Sequence, residues 1–122
     1  MLLDSNIIIY AAKPGYEALQ RFIAKHAPAV SAISRVEVLG YHLLTELDRE
    51  NFGDFFAAAT VLPISDSVLS KAIELRQMRK LSLGDALIAG TALVHSLPLV
   101  TRNVADFSWI DDLSLLDPFE DG

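Results

Sequence analysis

The chain has 122 residues, of which 52% are hydrophobic and 21% charged, and its net charge is −6. This size and composition predict one globular domain, residues 1–122, and exclude a disordered chain. The absence of cysteine excludes disulfides, thiolate zinc sites and cysteine nucleophiles, and the negative charge disfavours non-specific binding of nucleic acid.

Short apolar runs alternate with longer helical patterns along the chain. The predicted elements are, in chain order, a strand ending at Asp4, helical segments Ile7 to Tyr10 and Tyr16 to Lys25, a strand Ala29 to Ala32, a helix Ser34 to about Glu50, a helical piece over 51–59, a strand Thr60 to Ile64, a helix capped by Asp66, a helix Ser82 to Ser96, and strands Leu97 to Thr101 and Leu113 to Leu116. Strands separated by helices predict an α/β fold of three layers, with a mostly parallel sheet of four to five short strands flanked by helices.

No apolar run reaches the roughly 18 to 20 residues that a membrane span requires. The N-terminal residues have neither the basic start nor the length of a signal peptide. The sequence therefore predicts no membrane association and a cytoplasmic location.

Several acidic residues fall at the ends of predicted strands or in the first turns of the following helices. They are Asp4, Glu37, Asp85 and Asp106, with Asn103 close to the last. Because side chains at the carboxyl ends of parallel strands converge on one crevice, we expect these acids to share one edge of the sheet.

Helix capping offers a purely structural explanation for the same acids. Both Ser34 to Glu37 and Ser82 to Asp85 fit the capping box, and Asp4 fits a plain N-cap. Ordinary caps, however, have no reason to gather at one end of one sheet. Carboxylates that gather there need a cation, and a set of oxygen ligands without cysteine favours Mg²⁺ or Mn²⁺.

Four segments resemble the blocks of PIN-domain ribonucleases, and the length is similar to that of VapC toxins from toxin–antitoxin pairs. The segments are MLLDSNIII, SAISRVEVLGY, LSLGDALIAGTA and LVTRNVADF. The resemblance covers nearly the whole chain and implies a PIN-like fold and an endoribonuclease that depends on Mg²⁺ or Mn²⁺. It also implies a metal-activated water that hydrolyses RNA, a homodimer and a cognate antitoxin.

The resemblance assigns Asp4, Glu37 and Asp85 to the three acidic metal ligands of the family. The fourth block departs from the pattern at Asn103, so we predict Asp106 as the fourth acid and Asn103 as a polar helper. Whether the site takes one or two ions is left open.

Other polar residues next to these acids are candidates for supporting roles. Ser5, Asn6 and Thr101 could orient ligands or waters, or could simply satisfy backbone groups at strand ends. A second group could supply positive charge for RNA phosphates, although a solvated helix face explains part of it equally well. This group consists of Arg35, Arg79, Lys80 and Arg102.

Two other classes of function remain compatible with acids at strand ends. One is another Mg²⁺-dependent phosphoryl-transfer protein, which Asn6 and the cap-like Ser65-Asp66 both disfavour. The other is a non-catalytic protein on the PIN scaffold, which the retention of all three principal acids disfavours.

Overall fold

A computed structural model describes residues 1–119 of the chain, and the last three residues of the predicted domain lie outside this range. Within it, five short strands lie among seven helices. The strands are β1 (Leu2–Leu3), β2 (Ala29–Ser31), β3 (Val61–Leu62), β4 (Leu99–Val100) and β5 (Leu115–Leu116). The helices are α1 (Ser5–Ala11), α2 (Glu17–His26), α3 (Ala32–Leu39), α4 (Glu46–Ala58), α5 (Asp66–Met78), α6 (Leu83–Val94) and α7 (Val104–Phe107).

The strands form one sheet in the order β3-β2-β1-β4-β5, and all four pairings are parallel. This confirms the predicted α/β fold with a parallel sheet. The chain builds outward from β1 first to one side and then, with β4, to the other. The carboxyl ends of β1 and β4 therefore border the point where the topology reverses, which is where open parallel sheets form a crevice.

The two faces of the sheet bury different hydrophobic clusters, because neighbouring residues of a strand point to opposite faces. Leu2 and Leu99 belong to the cluster that contains residues of α5 and α6. Leu3 and Val100 belong to the cluster formed with residues of α1, α2, α3 and α4. The sheet is thus the middle of three layers, as the sequence predicts.

The predicted long helix from Ser34 to about Glu50 is wrong, since two helices occupy this region. Helix α3 ends at Leu39, and Thr45 caps α4 by accepting a hydrogen bond from the Asp48 amide at 3.1 Å. A Cβ at residue 40 would collide with the carbonyl oxygen of Val36. Gly40 therefore marks where the chain leaves the helix.

Three smaller differences concern the starts of two helices and one additional short helix. Ser31 caps α3, which begins before the predicted start, and Ser65 rather than Asp66 caps α5. The short helix α7 was not predicted. Across residues 1–119, every helix is too short or too polar to span a bilayer.

Candidate functional site

Asp4 lies at the centre of the sheet edge, directly after β1 and at the start of α1. Its side chain is only 3% exposed, and it accepts a hydrogen bond from the Thr101 hydroxyl at 2.8 Å. Thr101 follows β4, so the hydrogen bond joins the ends of the two central strands. Although Asp4 occupies the N-cap position of α1, its side chain makes no capping hydrogen bond. The plain N-cap explanation for this carboxylate is therefore wrong.

Burial strongly disfavours the charged form of Asp4. It raises the pKa of Asp4 from 3.8 to about 6, with smaller upward contributions from the charges of Asp85 and Glu37. The hydrogen bond from Thr101 opposes this shift in pKa. Three predicted site residues thus lie close enough for their charges to interact.

Glu37 lies in the second half of α3 and is held by a chain of two serine hydroxyls. Ser5 Oγ donates to Glu37 Oε1 at 2.8 Å and lies 2.8 Å from Ser34 Oγ. Because the single proton of Ser5 is directed at the carboxylate, Ser34 is the donor to Ser5. Ser34 is fully buried inside α3 and does not cap it, so the capping box predicted for Ser34 and Glu37 is wrong.

The Glu37 carboxylate also packs against the first turn of α6, beside Asp85. A Cβ at residue 84 would lie 3.0 Å from Glu37 Cδ and closer still to Oε2, so Gly84 leaves the space that the carboxylate fills. Asp85 is half-buried, and its amide donates to the capping hydroxyl of Ser82 at 3.1 Å. This hydrogen bond forms one half of the predicted capping box.

Asp106 lies in α7, and its charge acts on Asp85. Burial raises the pKa of Asp85, and the charges of Asp106 and then Glu37 raise it further, against the hydrogen bond with Ser82. Asp106 and Asp85 also line the same cleft. Asn103 is exposed at the start of α7, and its backbone amide donates to the Thr101 hydroxyl at 3.0 Å.

The oxygen-only donor set of this site suits a hard divalent cation. In the described part of the chain, the one ion pair joins Lys71 and Glu74 on α5, so no basic side chain neutralises the four acids. Within residues 1–119, no three acidic or histidine side chains stand close enough to ligate one ion directly. Mg²⁺ commonly keeps several waters and binds through one or two carboxylates, so the residues fit such an ion with water completing its shell.

The predicted basic residues lie in three different places. Arg79 and Lys80, at the end of α5, line the cleft that contains Asp85 and Asp106. Arg35 is exposed on α3. The Arg102 guanidinium lies 5.2 Å from the ring centroid of Tyr10 and 4.6 Å from that of Phe119, so aromatic contacts hold it beside Thr101.

Three residues have roles at the site that the sequence does not predict. Ser34 holds Ser5, Gly84 admits the Glu37 carboxylate, and Trp109 lines the cleft with Asp106. Trp109 could have been found from its spacing, because it follows Asp106 by three residues, or about one helical turn. Asn6 is exposed next to Ser5.

A further cleft lies between α1, α2 and α4, with a volume of about 420 Å³. Its walls are mainly apolar and include Ile8, Ile23, Phe52 and Phe55. The predicted site residues lie elsewhere in the described structure, so the acidic edge of the sheet is the candidate site.

Sequence comparison matches the chain to a protein family and to a known protein. The family model described as PIN domain matches residues 1–112. The chain is 28% identical to Ribonuclease VapC10 of Mycobacterium tuberculosis, in a match that covers 93% of this chain and 90% of that protein.

Solved structures resemble the whole fold. A toxin–antitoxin complex from Klebsiella pneumoniae contains a chain with a TM-score of 0.74 and 28% identity, and the match covers 96% of each chain. DNA-bound VapBC from Salmonella typhimurium has a chain with a TM-score of 0.85 and 21% identity, again over 96% of each. The second likeness concerns the fold alone.

Proposed function

Because this chain belongs to the PIN domain family, we propose that it is an endoribonuclease and the toxin component of a toxin–antitoxin pair. The observation that carries the proposal is that Asp4 is buried at the end of β1, close enough to Glu37 on α3 and Asp85 on α6 for their charges to raise its pKa. The similarity to Ribonuclease VapC10 supports RNA as the substrate. Such an enzyme would act in the cytoplasm, where RNA is accessible to it.

The proposal includes Mg²⁺ or Mn²⁺ as cofactor, which Asp4, Glu37, Asp85 and Asp106 would hold in part through bound water. When bound, such an ion polarises a phosphate oxygen and lowers the pKa of an attacking water. The support for it is chemical, since a buried carboxylate and its acidic neighbours have no basic partner in the part of the chain that is described.

The remaining residues orient these acids and attract the substrate. Thr101 fixes one oxygen of Asp4, and Ser34 acts through Ser5 on Glu37. Arg79 and Lys80 supply positive charge next to Asp85, which offsets the repulsion between the acids and the RNA phosphates.

RNA cleavage with mapped product ends tests this proposal. The protein is incubated with single-stranded and structured RNAs in Mg²⁺ or Mn²⁺, and again in EDTA. Hydrolysis by water leaves 5′-phosphate and 3′-hydroxyl ends, whereas attack by the RNA 2′-hydroxyl leaves a 2′,3′-cyclic phosphate. We expect the first kind of end and no cleavage in EDTA; cyclic phosphate ends or cleavage in EDTA would contradict the mechanism.

We also propose two protein partners, a cognate antitoxin and a second copy of the chain. The antitoxin is supported by the Klebsiella pneumoniae complex, and the homodimer by the family resemblance. Light scattering of the purified protein should give twice the chain mass. Co-expression with the product of an adjacent short reading frame should yield a complex that does not cleave RNA.

A further inference from the structure

A cleft of about 380 Å³ opens beside the acids, between the end of α5, the start of α6 and α7. Asp85 and Asp106 form its acidic side, and Arg79, Lys80 and Trp109 also line it. The cleft therefore combines carboxylates, two cations and an aromatic surface within one space. A metal site requires only the carboxylates. The two cations and the indole suit a ligand other than a metal ion.

Trp109 is held in a defined orientation at this cleft. Its indole Nε1 donates to the backbone carbonyl of Asp106 at 2.9 Å, which ties the ring to α7. The side chain is half-buried and packs partly against the cluster beneath α5 and α6. The Arg79 guanidinium lies 5.2 Å from the ring centroid, and Arg79 itself is exposed.

We propose that this cleft binds one unpaired nucleobase of the RNA, next to the phosphodiester that is cut, by stacking on Trp109. The inference rests on the proposed ribonuclease function and identifies a substrate subsite for it. A nucleobase is flat and stacks on aromatic rings, and its flanking phosphates attract Arg79 and Lys80. A base within a duplex has both faces covered by its neighbours, so the cleft selects single-stranded segments.

Arg79 has two roles in this arrangement. An exposed cation–π contact is weaker than the stacking of a base on an aromatic ring, so an incoming base replaces the guanidinium over the indole. The released guanidinium stays on the wall of the cleft and contacts a phosphate of the same nucleotide. Trp109 therefore determines which bases bind, and Arg79 adds affinity that depends on salt.

Trp109 is the only tryptophan in the chain, so its fluorescence reports directly on the cleft. The probes are a pentamer of uridylate, a pentamer of adenylate and an abasic ribose-phosphate pentamer of equal charge. They are titrated into the Asp4→Asn variant with Mg²⁺ present, because this change lies outside the cleft and is expected to prevent cleavage. We expect saturable quenching by the two base-containing pentamers and several-fold weaker binding of the abasic one.

Substitutions at the cleft are compared by anisotropy of a labelled pentamer. Trp109→Ala should weaken binding about tenfold, and Trp109→Phe should retain most of the affinity because a ring remains. Arg79→Ala should weaken binding and reduce its salt dependence, whereas Arg21→Ala, which removes an exposed cation on α2, should change neither. Melting curves establish that each variant is folded.

The outcomes separate this subsite from the proposed function. RNA cleavage by the wild-type protein without quenching of Trp109, or equal binding of the abasic pentamer, would overturn the subsite and leave the ribonuclease proposal intact. Quenching by the base-containing pentamers, together with a wild-type protein that cuts no RNA, would leave the cleft as a base-binding site and overturn the ribonuclease proposal. If Trp109→Ala does not fold, the subsite is still tested by the quenching of Trp109 and by the affinity of Trp109→Phe for the labelled pentamer.

Discussion

At the scale of single residues, the site depends on a carboxylate that its surroundings do not neutralise. Asp4 is buried and receives one hydrogen bond from a side chain, Thr101, while two further acids act on it. An ordinary structural carboxylate at this depth would be paired with a basic group. The molecule therefore bears a cost in stability at Asp4, which points to a functional reason for the charge.

This cost predicts a specific dependence of stability on pH in the metal-free protein. Below pH 3.8 Asp4 is mostly protonated in both the folded and the unfolded states. Between pH 3.8 and about 6 it is mostly ionised in the unfolded state but still mostly protonated in the folded state, so the free energy of unfolding falls as the pH rises. The stabilising effect of the protonated form is therefore lost as the pH rises through 6. The difference between the two pKa values corresponds to a loss of roughly 3 kcal/mol in the free energy of unfolding.

Denaturant unfolding at pH 4 and pH 7 in EDTA, with wild type and Asp4→Asn, measures this contribution. Asparagine accepts the hydrogen bond of Thr101 without a charge, so the variant should be more stable than the wild type at pH 7. The advantage should shrink towards pH 4. Parallel curves for the two proteins would contradict the assigned burial penalty.

Glu37 is the residue at which metal ligation and a purely structural role differ most. Glu37→Gln keeps an oxygen that can accept from Ser5, so the fold should remain intact. As a lost metal ligand it should lower RNA cleavage at least about a hundredfold, the size of effect typical of one removed electrostatic stabiliser. Full activity of this variant in the cleavage assay, with an unchanged melting temperature, would rule out the ligand role.

At the scale of elements, α3 and α6 meet at a contact that only glycine permits. Gly84→Ala should push the Glu37 carboxylate out of its place, because the added Cβ would overlap it. The end of a flexible side chain can move at little cost, so stability should hardly fall while cleavage decreases about tenfold or more.

Gly53→Ala provides the matched control, since nothing lies within 4 Å of a Cβ at that position in α4. It should raise stability by up to about 1 kcal/mol through helix propensity and leave cleavage unchanged. Melting temperature and initial rate of RNA cleavage are measured for both variants. Equal activity in the two would show that the Glu37 position does not matter.

The elements also show what local sequence can predict. The strands and the helices α5 and α6 follow from hydrophobic period and cap residues, and so does the sheet edge that gathers the acids. The sequence does not predict the end of α3 at Gly40 or the cap of α4 at Thr45, because neither residue interrupts the helical pattern of apolar residues around it. The contacts of Ser34 and Gly84 depend on which helices pack together, and no local pattern contains that information.

At the scale of the whole molecule, the chain carries a net charge of −6 and yet must approach an anionic substrate if it is a ribonuclease. Arg79 and Lys80 on the wall of the acidic cleft would provide positive charge where such a substrate approaches. A divalent ion at the four acids would further reduce the negative field where the phosphate must bind. Metal and substrate binding should therefore be coupled through charge.

The same coupling predicts that the metal stabilises the folded protein as a whole. An ion that binds only the folded state raises the free energy of unfolding, by about 2.7 kcal/mol when its concentration is a hundred times the dissociation constant. For a domain of this size the melting temperature should then rise by roughly 10 °C. The expected gain comes from relief of the repulsion at Asp4 and Asp85, so it should be larger at pH 7 than at pH 5.

Thermal melts with millimolar Mg²⁺ or Mn²⁺, against EDTA at equal ionic strength, measure this effect. Asp85→Asn should remove most of the gain, whereas Asp54→Asn, an exposed acid on α4, should keep it. A wild-type melting curve that does not respond to either ion would exclude the four-acid site as a metal centre. If Asp85→Asn keeps the full rise in melting temperature, the ion binds elsewhere, because the proposed site requires the Asp85 carboxylate.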